Sequence, residues 1–114
     1  MNCTEPKKCR RYTISVGMND KDSHEQRFDS EKIVKLAHNC CRAYGCAYST
    51  SLIDGGYIHE NGDYVVEKSI AITLIDPEEA VVEELAKDLC AFLHQESVMI
   101  SVDEVTNYFL CESL

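Results

Sequence analysis

The chain has 114 residues, 45% of them hydrophobic, with a formal net charge of −9. That length makes one domain, large enough to bury a core without metal or disulfide staples. The acidity excludes the Lys- and Arg-rich surface on which ordinary phosphate-backbone binding depends, so no direct nucleic-acid partner is expected.

No apolar run reaches the length of a membrane span, and the first residues lack the apolar segment of a signal peptide, so a cytoplasmic protein without a membrane partner is expected. The charge is unevenly spread. Residues 1 to 11 carry four bases and one acid, whereas residues 76 to 114 carry ten acids and a single base, Lys87. Lys7, Lys8, Arg10 and Arg11 therefore read as part of a flexible basic arm over residues 1 to 11, followed by one domain over 12 to 114. Seven cysteines is a high and odd count. Without an export signal they are expected as reduced thiols, with Cys40, Cys41, Cys90 and Cys111 acting as small hydrophobes in apolar runs. Cys40, Cys41 and Cys46 lack the paired spacing of structural zinc, and no metal or other cofactor is expected.

The first strand is predicted over Tyr12 to Met18, where Tyr12, Ile14, Val16 and Met18 alternate inward and Thr13, Ser15 and Gly17 outward. A polar loop follows from Asn19 to Asp29. A helix then runs from Ser30 to about Tyr44, capped by Asp29 or Ser30, and Gly45 stops it. Its one-sided apolar stripe is Ile33, Val34, Leu36, Ala37, Cys40, Cys41 and Tyr44.

From Cys46 to Ile75 the sequence reads as a long β-hairpin turning at Glu60-Asn61-Gly62-Asp63, because Asn-Gly tolerates the positive φ of a tight turn. Its first arm is interrupted at Asp54-Gly55-Gly56, which predicts a bulge or bend. Its second arm sends Tyr64, Val66, Ile70, Ile72 and Leu74 to one face and Val65, Glu67, Ser69, Ala71 and Thr73 to the other. Asp76-Pro77-Glu78-Glu79 then predicts a helix start with Asp76 as its cap. The stripe of that helix is Val81, Val82, Leu85, Leu89, Phe92 and Leu93. A last strand runs from Ser97 to about Asp103 with Val98, Ile100 and Val102 inward, and the apolar tail Val105, Tyr108, Phe109 and Leu110 is left unplaced.

Strand, helix, strand, strand, helix, strand, joined by short right-handed connections, defines an α+β fold of ferredoxin-like βαββαβ type: a four-stranded antiparallel sheet ordered 4-1-3-2 with both helices on one face. In that topology the end of the first strand meets the beginnings of the third and fourth. Asn19, Asp20, Asp22, Glu67, Lys68, Gln95 and Glu96 are therefore the candidate ligand- or partner-binding residues, beside the start of the first helix, whose free amides suit an anion. The same residues have a purely structural reading. Glu67 would pair with Lys68 or Lys21, Asn19 and Asp20 would make local turns, and Gln95 and Glu96 would cap backbone groups.

Asp20, Asp22 and Glu67 lack calcium-loop spacing. His24, His38, His59 and His94 form no catalytic set by spacing, and no phosphate-cradling glycine loop follows a strand, so no catalytic residue is assigned. The outward residues of the sheet include no aromatics on which bases could stack. A homodimer through the sheet face or the two edge strands is expected instead.

Gly56-Tyr57, Asn61-Gly62, Val66-Glu67-Lys68-Ser69 and Gln95-Glu96-Ser97-Val98 together resemble a family of small ferredoxin-like proteins from bacteria and phages with no assigned activity. The resemblance covers about residues 12 to 102, with Tyr57 where that family commonly has tryptophan. It implies a phage or mobile-element origin and marks Glu67, Gln95 and Glu96. The expected function is a small non-enzymatic binding protein that holds or sequesters a small ligand or a protein partner. One alternative is an acidic inhibitor of a nucleic-acid enzyme or defence protein, presenting Glu78, Glu79, Glu83, Glu84 and Asp88. Another is an enzyme with Glu67 or Glu96 as a carboxylate base.

Overall fold

A computed structural model describes residues 4–112. The elements are β1 (Lys7–Gly17), α1 (Ser30–Ala43), β2 (Tyr48–Ile58), β3 (Tyr64–Ile75), α2 (Glu79–Phe92) and β4 (Met99–Asn107). The sheet runs β2-β3-β1-β4 with every neighbouring pair antiparallel, the ferredoxin-like arrangement expected from the element order.

The alternation in β1 and β3 builds the core. Register places Tyr12 opposite Leu74, Ile14 opposite Ile72 and Val16 opposite Ile70, so all six side chains share one face and all six are buried. Ile33, Ala37 and Cys41 of α1 and Val82, Leu85 and Leu89 of α2 close over them. Each fully buried Ile, Leu or Val contributes roughly 1.5–3 kcal/mol. At the start of α1 the Asp29 carboxylate accepts from the Lys32 amide at 2.8 Å, as its position predicts. Gly45, at φ +68°, ends the same helix in the left-handed region that glycine enters without steric cost.

Several boundaries differ from the sequence reading. β1 begins at Lys7, so residues 7 to 11 of the expected flexible arm are strand, paired with Asp103 to Asn107 of β4. Acids on neighbouring segments take part of the basic cluster's charge: Arg11 reaches Asp103 at 3.1 Å and Lys7 reaches Asp76 at 3.5 Å. Residues 1 to 3 of that arm, Cys3 included, lie outside the described residues. β4 continues to Asn107, and beyond it Thr4 and Phe109 exchange hydrogen bonds, which seats the unplaced tail beside the start of the chain.

β2 carries no bulge. Asp54, Gly55 and Gly56 pair in unbroken register with Lys68, Glu67 and Val66. A Cβ on Gly56 would stand 3.2 Å from Cε1 of Tyr64, so this glycine serves a close approach of a ring rather than a bend. Asp76 does not cap α2; it has φ +54° and its carboxylate takes Lys7, while Glu78 occupies the N-cap without a side-chain bond. Cys111 is disulfide-bonded, against the expectation of thiols throughout. Cys9, Cys40, Cys41, Cys46 and Cys90 are free, and burial pushes the Cys41 thiol up to about 11.

Tyr64 and Val66 do face the helix side, as predicted, yet they are 75% and 74% exposed. Length is the reason. A 14-residue helix covers about 21 Å, whereas a 12-residue strand extends about 40 Å. The hairpin tip therefore overhangs the helices in a molecule 58 Å long and 28 Å across. Ile100 and Val102 in edge strand β4 are likewise exposed.

Candidate functional site

The sheet brings three chain segments to one end. The β1 ladder closes with Gly17 opposite Ser69 of β3, and β4 opens with Met99 opposite Ser15 of β1. Glu67, two residues before Ser69, shares the face of the sheet that the helices leave open. Its side chain lies across β1: a Cβ on Gly17 would stand 2.7 Å from Oε1 and 2.8 Å from Oε2. Only glycine at position 17 leaves room for that carboxylate.

The chain leaving β1 then holds the carboxylate. The Met18 amide donates to the Lys68 carbonyl at 2.9 Å, and the Asn19 amide donates to Glu67 Oε2 at 2.9 Å. Gln95 Nε2 donates to the carbonyls of Asn19 and Leu93. Glu67 Oε1 has no partner among the described residues and remains an open acceptor. Around it runs a groove of about 960 Å³, lined by Ser15, Gly17, Asn19, Tyr57, Glu67, Ser69, Gln95, Glu96, Ser97 and Met99, with His24, His59, Asn61 and Asp63 toward the hairpin tip. His24 and His59 meet edge to face, ring centroids 6.3 Å apart. The volume is that of a small-molecule site.

Asp20, on the same loop, is the one buried charged residue among those described, at 4% exposure. It accepts from the amides of Asp22 and Ser23 at 3.0 Å each and from Arg27 Nη1 at 3.2 Å, and His94 Nδ1 lies 2.6 Å away. The Ser23 amide, followed by His94, the Asp22 amide and Arg27, holds this carboxyl well below the usual range against the upward pull of burial. Oxygen and nitrogen atoms of Asp20, Asp22 and His94 lie within 4.8 Å of one another. The donors do not suit a resident cation, because Arg27 already supplies Asp20 with its countercharge. The cluster is a staple that fixes the loop after β1 against the turn after α2.

Of the residues predicted for the site, Asn19, Asp20, Glu67, Gln95 and Glu96 line the groove together. Asp22 sits instead beside His94, its Oδ2 3.6 Å from Nε2. Lys68 lies on the opposite face of β3 from Glu67 and takes part through its backbone carbonyl alone, since successive strand residues alternate faces. Neither Lys68 nor Lys21 pairs with Glu67. Asp20 makes the local turn bonds expected of it, and Gln95 bonds backbone carbonyls. Sequence reasoning did not find Gly17, Tyr57, His24, His59, Arg27 or His94; the outward position of Gly17 in β1, under the outward Glu67, was the one available signal.

Glu78 at the N-cap of α2 and Glu79, Glu83 and Glu84 on it are exposed. Asp88 accepts the Tyr44 hydroxyl at 2.6 Å, which pushes that hydroxyl up to about 12, and Glu84 pairs with Lys87 at 3.7 Å. No described helix is long and apolar enough to cross a membrane.

Fold and site define a ferredoxin-like α+β domain with a carboxylate on the floor of an open groove at one end of its sheet. No protein-family model and no curated protein matches the chain. Among solved structures it is similar to a phage SAM lyase in its apo state, at 25% identity over 94% of this chain and 93% of that one, TM-score 0.67. The phage SAM lyase in complex with S-methyl-5'-thioadenosine aligns at 24% identity over 89% of this chain and 90% of that one, TM-score 0.65. CPII, a nitrogen regulatory PII-like protein from Thiomonas intermedia K12 bound to ADP, AMP and bicarbonate, shares the fold at 15% identity over 91% of this chain and 99% of that one, TM-score 0.51.

Proposed function

We propose that this chain binds S-adenosylmethionine in the groove over Glu67 and cleaves it as a lyase, releasing S-methyl-5'-thioadenosine. The observation that carries the reading is the Glu67 carboxylate, fixed by the Asn19 amide with its other oxygen open to a groove of ligand size. Support comes from the 25% identity to the apo phage SAM lyase over nearly the whole chain, which also supports the phage relation expected from the sequence. The reading keeps the small ligand expected from the sequence and adds a reaction to it.

The chemistry asks little of the protein. A sulfonium leaves as a neutral thioether, so the departing group needs no acid. The substrate's own carboxylate oxygen forms a bond to its γ-carbon while the bond from that carbon to sulfur breaks, and the electron pair goes to sulfur. A five-membered lactone and S-methyl-5'-thioadenosine account for every atom, with no co-reactant. The protein's part is to hold the methionyl chain in the closing conformation.

Electrostatics assign Glu67 its end of the substrate. A carboxylate against the sulfonium would stabilise the ground state more than a transition state in which that charge is fading. Against the ribose hydroxyls it stabilises both alike, as an acceptor for two neighbouring donors. Glu96 and Asp63, which also line the groove, add a negative field that draws in the cationic substrate and holds the neutral thioether less.

Calorimetry with S-methyl-5'-thioadenosine tests the reading. Losing charge-assisted hydrogen bonds of about 1.5–3 kcal/mol, Glu67→Gln should bind roughly ten-fold or more weakly than wild type. A wild-type protein that binds neither this thioether nor S-adenosylmethionine would refute it.

A further inference from the structure

We infer that Gln95 is a positioning residue for Glu67, acting through the backbone of Asn19 rather than through the ligand. The inference rests on the SAM reading for its consequence but on this chain's own hydrogen bonds for its geometry.

Among the described residues Glu67 has one protein anchor for its carboxylate, the Asn19 amide at 2.9 Å. Asn19 lies beyond the last paired residue of the β1 ladder, Gly17, and its further β pairing is an isolated bridge to Gln26 within its own loop. Its carbonyl is gripped by the Gln95 side-chain amide. That amide also donates to the Leu93 carbonyl at 3.1 Å, and the Gln95 backbone amide donates to the Cys90 carbonyl at 2.9 Å. Gln95 is thus tied to the end of α2 and holds Asn19 from there. Two residues on, the Lys21 amide donates to the His94 carbonyl at 3.0 Å, a second tie between the same two segments.

With its side-chain amide hydrogens given to Asn19 and Leu93, Gln95 has no side-chain donor left for a ligand and keeps only its Oε1 as an acceptor. It spans from α2 to the residue that clamps the carboxylate, which is the shape of a supporting contact. Freed of it, Asn19 would keep its bridge to Gln26 but lose the hold from α2 on its carbonyl, and the amide that fixes Glu67 would shift, with the groove still present.

The test is a double-mutant cycle on affinity for S-methyl-5'-thioadenosine, using Gln95→Met, which keeps the length of the side chain without its donors, and Glu67→Gln. Each single variant should bind about ten-fold more weakly, and the double variant should bind no worse than Glu67→Gln by more than about two-fold, because the charge that Gln95 positions is already gone. Losses that multiply, or a Gln95→Met variant that binds like wild type, overturn the inference. Gln95→Glu, which sets an acceptor against two carbonyls, serves in the cycle if Gln95→Met does not fold. The amide resonance of Asn19 in the ligand-free protein gives a readout independent of the SAM reading. It should move in Gln95→Met in the direction it moves in Glu67→Gln. If wild type binds no thioether, the SAM reading fails by itself, and an Asn19 resonance unmoved by Gln95→Met then overturns the relay as well.

Discussion

The Glu67 carboxylate occupies the place where a Gly17 side chain would stand, its carboxyl carbon 2.8 Å from the position of a Cβ on Gly17. One residue supplies the charge and the other the vacancy. Because the clashing atoms are the far end of a flexible side chain, Gly17→Ala should fold, with Glu67 swung off the Asn19 amide. Affinity for S-methyl-5'-thioadenosine should fall by on the order of ten-fold, at a thermal midpoint close to wild type. A Gly17→Ala protein that binds as wild type would show that the fixed carboxylate is irrelevant to the site.

Asp20 predicts a pH dependence. Its folded-state carboxyl is held below the usual range, first by the Ser23 amide. The stability it contributes is therefore fully present above the unfolded value of about 3.9 and is lost as pH falls through the lower folded value. Asp20→Asn should be clearly less stable than wild type to urea at pH 7, and the gap should narrow steadily below about pH 4. An equal gap at both ends of that range would remove the staple from the account.

The core predicts a larger effect without bearing on chemistry. Ile72 is fully buried in β3, opposite Ile14, so Ile72→Ala should cost about 2–5 kcal/mol by urea denaturation. A loss under about 1 kcal/mol would mean that the sheet and helices pack less closely than described.

The sequence leads one to expect a homodimer through the sheet face or the edge strands; the hairpin overhang offers a different surface, on the helix side of β2 and β3. Leu52, Ile58, Tyr64 and Val66 share one face and are all exposed, the kind of apolar strip that marks contact between chains. Sedimentation should find wild type associated at micromolar concentration and Val66→Glu dissociated but folded. Wild type that sediments as a monomer would contradict it.

Much of this architecture is legible from residue pattern. The alternation of Ile14 and Val16 against Ile70 and Ile72 is local and strict, and Asp29 stands where a cap must stand. What pattern cannot supply is cover: Tyr64 and Val66 obey the same alternation as Ile70, yet no helix reaches them. The start of β1 was hidden for a related reason. Lys7 to Arg11 have no apolar rhythm and are held as strand by β4, whose Asp103 takes Arg11. Within the site, topology alone brought Asn19, Glu67 and Gln95 together. Lys68 was misplaced because sequence adjacency to Glu67 puts it on the other face, and His24, His59 and His94 find their partners only across the fold.

The most direct test of the central claim is to incubate the purified chain with S-adenosylmethionine and follow the mixture by mass spectrometry. The account predicts S-methyl-5'-thioadenosine and homoserine lactone appearing in equal amounts, at a rate that Glu67→Gln and Gly17→Ala both lower when S-adenosylmethionine is below saturation. S-adenosylmethionine that persists no less in the presence of the wild-type protein than in buffer would contradict it.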